Sequence, residues 1–427
     1  QVGDVIKKPA DTTDITNSLI FNDDDSAYLS KSMGTVTGAW TLSMWIKRSG
    51  IGKSYDPLGS FRADEYRFEN DVLKIESGFT SSMSFKDSSR WYHLVFSDSG
   101  SDMEVYADGI SLGTTGFSRD FGDSGTVIGR MGYNSTHFDG YIAEVHFVDG
   151  TAHDPTDFGN FDANGIWIPK AVTGITYGTN GFYLDFSDNT STTTLGEDQA
   201  GSNDWTLNSF ATTDQVSDSP TDNHATWASY FTGSYATLTE GNLTVKGNTS
   251  ADSGQTRTTI PVIRGKFYAE FTVTGTNSTY PQLGIMRKED GDLANNGNPQ
   301  VGTVANSVAY YSNGSKYIGG TGSTYGASVT TNDIVSIALD ADNGAIYFAK
   351  NGQWADGAGN SNQTFANAVA AFEWESGISH LISVAAYNTS SGYSANFGQR
   401  SFTHTPPTGY LALSENNITV DDQNLES

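Results

Sequence analysis

Carboxylates are the most abundant reactive groups in this chain: 49 Asp and Glu stand against 23 Lys and Arg. Two of them facing each other across a sugar bond could hydrolyse it, and a retaining mechanism sets them ~5–5.5 Å apart. Alternate residues of a strand share a face, so such a pair would show as acids at alternate positions of one strand. Asp64-Glu65-Tyr66-Arg67-Phe68-Glu69 comes nearest. There Arg67 shares the face of Glu65 and Glu69, and its charge should lower both carboxyl pKa values rather than raise one for acid catalysis. Glu270 stands alone in its strand, and Glu373 and Glu375 lack a third partner. No catalytic site is expected.

The histidines His93, His137, His146, His153, His224, His380 and His404 never fall at a ligand spacing such as His-x-x-x-His. His93 and His146 sit inside apolar runs and are expected to be strand residues with satisfied ring nitrogens. There is no cysteine, which removes disulfides, thiolate metal sites and thiol nucleophiles together. The cluster Gly319-Gly320-Thr321-Gly322 has neither the lysine nor the following helix of a phosphate loop. A hard cation is the better metal candidate. Asp23, Asp24 and Asp25 form the densest oxygen cluster, with Asp120 and Asp123 near Asp139 as the alternative. Three aspartates in a row could equally serve as turn residues. Sugars are held by flat aromatic faces beside a few placed polar groups. Tyr133, Asn134 and His137, together with Tyr280 and Tyr325, are the candidates in loops or at strand ends; ordinary packing is the alternative for each.

These side chains must be positioned by strands. Hydrophobic residues make up 36% and aromatics 12%, a mix that suits short strands rather than helical bundles. Trp40, Leu42, Met44 and Ile46 alternate with Thr41, Ser43, Trp45 and Lys47, the period of a half-buried strand. Similar pieces recur, with Asp108-Gly109, Asn343-Gly344 and Asn351-Gly352 as hairpin turns. Regular short strands with turns between them predict an all-β chain of two β-sandwiches in tandem. The expected divisions are an extended arm over 1–16, a sandwich over 17–188, a polar surface connector over 189–224 and a second sandwich with its tail over 225–427. The net charge of −26 argues against nucleic acid and anionic membranes as partners. No apolar run approaches the ~18 residues that membrane insertion needs. Self-association would have to run through the arm or exposed strands.

The first sandwich resembles the laminin-G-like, concanavalin A-like lectin/glucanase superfamily. SLIFNDDDSAYL, WTLSMWIKR, WYHLVFSDSGSDMEVYADGISLGT and FDGYIAEVHFVDGTA carry that resemblance. It implies a jelly-roll fold and, at a rim, a Ca²⁺ held by loop oxygens, for which Asp23, Asp24 and Asp25 are the expected ligands. The second block resembles a SPRY domain through GKFYAEFTV, PQLGIMR, SVAYYSNGSKYIGG, DIVSIALDADNGAIYFAKNGQW and the NFGQ…TPPTGY ending. SPRY membership implies protein binding through loops at one end. The two together resemble structural proteins of marine bacteriophages, described as tail-fibre, appendage or capsid-associated. This implies a non-catalytic virion protein whose partners are other virion proteins and a host-surface glycan or protein. A surface adhesin of a marine bacterium and a polysaccharide-degrading enzyme are the alternatives.

Overall fold

Trp40, Leu42, Met44 and Ile46 enter one hydrophobic core from the strand Ala39–Arg48, leaving Thr41, Ser43, Trp45 and Lys47 on the opposite face. The strand is thus buried on both faces, not half-buried as its alternation predicts, in a computed structural model that describes residues 14–418, apart from 63, 77, 124, 133–135, 249–252, 278, 288 and 290–299. The chain divides into two compact units, the first closing at Asn223 and the second starting at His224.

In the first unit the described residues form two facing sheets. An eight-stranded sheet runs in the order Ile110–Thr114, Met103–Ala107, Tyr92–Ser99, Ala39–Arg48, Gly140–Asp149, Ser18–Phe21 and Gln215–Val216, with Phe182–Leu184 also paired to Gly140–Asp149. A seven-stranded sheet runs Thr206–Asn208, Tyr28–Lys31, Thr126–Ile128, Asp56–Phe61, Asp64–Glu69, Val72–Ile75 and Phe79–Ser84. Aromatic rings fill the gap, Phe121 stacking on Phe147 at 3.9 Å and on Phe61 at 4.7 Å. The hairpin at Asp108-Gly109 forms as expected. Both residues have positive φ, 50° and 73°, and Ala107 pairs with Ile110, a two-residue turn.

The polar segment 189–224 is mostly exposed or half-buried, as a surface connector would be, but up to Asn223 it also belongs to the first sandwich. Leu195 and Trp205 lie in the first core, Thr206–Asn208 extends one sheet and Gln215–Val216 the other. Asp218 buries its carboxylate against Lys47 Nζ at 2.8 Å and Trp91 Nε1 at 3.1 Å. The segment has no Lys or Arg, and its buried Asp218 takes its cationic partner from a distant strand. Residues 1–13 of the expected arm lie outside the described residues, while Ile15 is buried and its carbonyl accepts from Thr221 Oγ1 at 2.7 Å.

In the second unit a ten-stranded sheet is centred on Lys266–Gly275 between Gly392–Asn396 and Ile334–Asp340, and a six-stranded sheet on Gln282–Arg287 between His380–Tyr387 and Val308–Tyr311, counted over the described residues. Their inner faces meet through rings, Tyr310 of one sheet stacking on Phe348 of the other at 5.4 Å. Asn351-Gly352 makes a two-residue turn, both at positive φ, with Lys350 opposite Gln353. Asn343-Gly344 does not: Asp340 pairs with Ala345, so the loop spans four residues and only Gly344 needs positive φ. Asp340 accepts from the Asn343 backbone N–H at 3.0 Å and from its side chain at 2.8 Å, which holds the longer loop.

Candidate functional site

The outward face of the eight-stranded sheet is sealed. Trp45 stacks on His93 at 4.6 Å, and Trp167 stacks on the same ring at 6.0 Å. Trp167 Nε1 donates to His93 Nδ1 at 3.0 Å, so Nε2 carries the proton of the neutral ring and bonds Ser43 Oγ at 2.8 Å. Burial, with His146 nearby, pushes the imidazole pKa down to about 3. His93 is thus a satisfied core histidine.

The outward face of the seven-stranded sheet is built differently. Register places Thr206, Ser30, Val127, Ser60 and Glu65 in one row across five strands. Their chain neighbours Leu207, Leu29, Ile128, Phe61 and Tyr66 pack into the core, so the row faces away from it. Thr206 is exposed and Ser30 half-buried at one end of the row, while Val127, Ser60 and Glu65 are buried, and Asn208 Nδ2 donates to Ser30 Oγ at 2.9 Å. Above one end lies a cleft of about 380 Å³ lined by Tyr28, Ser30, Lys31, Arg130, Asp204 and Thr206, among others. That volume is at the lower end of the ~300–1,000 Å³ of small-molecule sites. The Arg130 guanidinium lies 4.0 Å over the Tyr28 ring. Lys31 Nζ donates to the Asp204 carbonyl at 3.0 Å; burial lowers its pKa, against the pull of Asp204 and Asp198.

At the far end of the row, Glu65 is buried. Its Oε1 accepts from Gly132 N at 2.8 Å, and Oε2 has no hydrogen-bond partner among the described residues. Gly132 lets the backbone lie this close, since a Cβ there would stand 2.6 Å from Ser60 Oγ. Burial raises the Glu65 pKa, with Gly132, Ser60 and Arg67 pulling the other way. This reverses the expectation that Arg67 would dominate. Arg67 is turned toward Glu69 at 3.3 Å and Glu76 at 3.7 Å, and Glu69 is itself held below its usual pKa, chiefly by Lys74 at 2.6 Å. Among the described residues Glu69 and Glu76 are therefore committed to ion pairs, and Asp64 faces Arg119 at 3.4 Å.

The expected ligand residues scatter. Tyr133 and Asn134 lie outside the described residues. His137 is buried, bridged to Arg130, with its ring 5.8 Å from Tyr28, so it supports the cleft wall from behind. Tyr280 belongs to the second unit, where it stacks on Tyr387 at 5.3 Å and donates to Gln300 Oε1 at 3.3 Å. Tyr325 is no ligand contact: it is fully buried, its hydroxyl donating to the Val369 carbonyl at 2.8 Å. Sequence reasoning missed Tyr28, Lys31, Arg130 and Asp204, which only strand pairing brings together.

The residues present do not fit the implied calcium ion. Asp23 Oδ2 is bound by Lys53 Nζ at 2.6 Å, Asp24 is exposed, and Asp25 accepts from Asn22 Nδ2 at 2.8 Å. Among the described residues no group of three or more acidic or histidine side chains could hold a metal. The alternative set fails too, with Asp120 facing Arg62 at 3.5 Å and Asp123 accepting from Gly125 N at 2.7 Å. Lys53 also reaches Asp139 at 3.1 Å, so a tethered ammonium supplies the positive charge that a cation would bring. Burial, with Asp23 and Asp56 adding to it against the pull of Lys53, pushes Asp139 up to about 7.

Residues 21–155 match the Laminin_G_3 model of the concanavalin A-like lectin/glucanases superfamily, and residues 266–399 match the SPRY domain. Among solved structures, the SPRY domain of human HERC1 is similar at 17% identity, covering 41% of this chain and 99% of that one, with a TM-score of 0.31. A putative carbohydrate binding protein from Bacteroides ovatus is similar at 17% identity, covering 46% of this chain and 59% of that one, with a TM-score of 0.35. No curated protein matches. The chain carries a concanavalin A-like, lectin-type domain followed by a SPRY domain.

Proposed function

We propose that the protein is a non-catalytic attachment protein of a bacteriophage particle, whose first sandwich binds a host-surface saccharide through the outward face of its seven-stranded sheet. The observation that carries the binding part is the cleft lined by Tyr28, Lys31, Arg130 and Asp204, whose floor is the accessible end of the row at Ser30 and Thr206. A saccharide presents hydroxyls along a ring edge and an apolar ring face, and such a floor offers complementary donors and acceptors. Commitment of Asp64, Glu69 and Glu76 to ion pairs beside Glu65 favours binding over cleavage. The particle location rests on the sequence resemblance of the domain pair to phage structural proteins. The SPRY domain, whose family implies protein contacts, would hold other virion proteins.

Glycan-array binding of the whole protein tests the first part. Selective retention of one saccharide class, with no shortening of the bound chains, is the expected result; release of shortened chains would overturn the non-catalytic reading. Mass spectrometry of purified particles tests the location, and absence of the protein from them would remove it.

A further inference from the structure

The cleft of the first sandwich holds an arginine whose hydrogen-bonding capacity is unspent. The chain carries more than two acidic residues for every basic one, and its other cations near this sheet are neutralised: Arg67 by Glu69 and Glu76, Lys74 by Glu69, Arg62 by Asp120, Arg119 by Asp64. Lys31 meets only a backbone carbonyl, and Arg130 is the fuller exception. Among the described residues it has neither a carboxylate within ion-pair distance nor a hydrogen-bond partner, and its Nε is buried without one. The Tyr28 ring covers the flat face of the guanidinium at 4.0 Å. Stacking leaves the edge free, and the edge is where five N–H donors point.

Lys31 lines the same cleft as a second cation, its ammonium spending one donor on the Asp204 carbonyl at 3.0 Å. Asp204 adds a carboxylate, held by one oxygen to Asp198 N at 2.9 Å. The cleft therefore has two cations, one acceptor and the hydroxyls of Ser30 and Thr206. A bare inorganic anion would meet Asp204 as a repulsive neighbour, whereas a neutral sugar would leave the Arg130 fork unpaired and desolvated. A ligand that carries both an anionic group and hydroxyls satisfies all of them.

We infer, resting on the saccharide-binding reading above, that this cleft selects a sugar unit bearing a carboxylate, a uronic acid residue of a host polysaccharide. Its carboxylate takes the bidentate edge of Arg130, with Lys31 beside it, and its ring hydroxyls reach Asp204, Ser30 and Thr206. Planar two-point pairing is what an arginine fork offers a carboxylate and a lysine does not.

The test uses the full chain and calorimetric titration with three probes: a polyuronate oligosaccharide, the same backbone with its carboxyls reduced to alcohols, and a sulfated neutral oligosaccharide. The expected result is binding of the polyuronate that weakens with salt, with the reduced form at least about tenfold weaker. Arg130→Gln should lower polyuronate affinity about ten- to hundredfold, and Arg130→Lys should restore only part of it. Both variants should stay folded, because Arg130 makes no ion pair within the protein and Arg130→Gln loses only its stacking on Tyr28, so any fall in melting temperature should be small. Equal affinity for the polyuronate and its reduced form, or preference for the sulfated probe, would overturn the carboxylate assignment while leaving saccharide binding intact. Failure of all three probes, together with a blank glycan array, would remove the underlying reading as well.

Discussion

The two outward faces of the first sandwich start from the same strand chemistry and end in opposite states. On the eight-stranded sheet, polar and aromatic outward residues are covered by later chain: His93 finds both ring partners, and Lys47 meets Asp218 and Asn223 at 2.8 and 2.7 Å. On the seven-stranded sheet, Glu65 and Arg130 each keep an atom that is buried yet unpaired. Unpaired buried groups cost ~1–3 kcal/mol each unless something arrives to satisfy them. The sealed face spends its polar groups on folding, whereas the cleft on the other leaves the Arg130 edge open.

Four changes would break or sharpen that contrast. The largest effect is expected from Lys47→Ala, which strands the buried Asp218 carboxylate; loss of one member of a buried pair costs about 3–5 kcal/mol. Denaturant melts should show it, and a change under about 1 kcal/mol would mean that the segment bearing Asp218 is not integral to the fold. Trp167→Ala should cost about 3 kcal/mol by opening the cover over His93, and should raise the His93 pKa toward its ordinary value, readable by NMR titration. Saccharide binding on the other face should persist.

A smaller effect is expected from Asp139. Its folded pKa of about 7 lies above the ordinary 3.8, so the folded protein keeps a proton that the unfolded chain releases. The contribution is fully present below about pH 4 and is lost as pH rises through 7, no more steeply than about 1.4 kcal/mol per pH unit. Melting curves of Asp139→Asn against the parent over that window should lack this slope. Added calcium should shift neither curve, and a marked shift would restore the metal that Lys53 is taken to replace. Smallest of all, Tyr325→Phe should cost about 1 kcal/mol through the lost bond to Val369 and leave ligand binding unchanged.

Turn chemistry and alternation were legible because they are local. Asp108-Gly109 and Asn351-Gly352 adopt the conformations their residues favour, and the alternate apolar residues of Ala39–Arg48 face the core, although the strand is buried on both faces rather than half-buried. Asn343-Gly344 shows the limit, since a side-chain bond from Asn343 to Asp340 stabilised a longer loop that no dipeptide rule reports. Acid density misled at Asp23-Asp24-Asp25, whose side chains diverge and whose first member had already met Lys53. Polar composition matched the exposure of 189–224 but not its pairing, since Asp218 meets a partner 171 residues away.

By itself the sequence determined period, turn positions, the acid excess, the lack of thiol chemistry and the all-β architecture of both domains, since each follows from single residues or near neighbours. Only the tertiary structure decided which carboxylates are spent, why Lys53 stands among three of them, and that Tyr28, Lys31, Arg130 and Asp204 share a cleft. The reason is physical. Whether a polar group is paired depends on which strands lie side by side, and that pairing joins residues the chain keeps far apart.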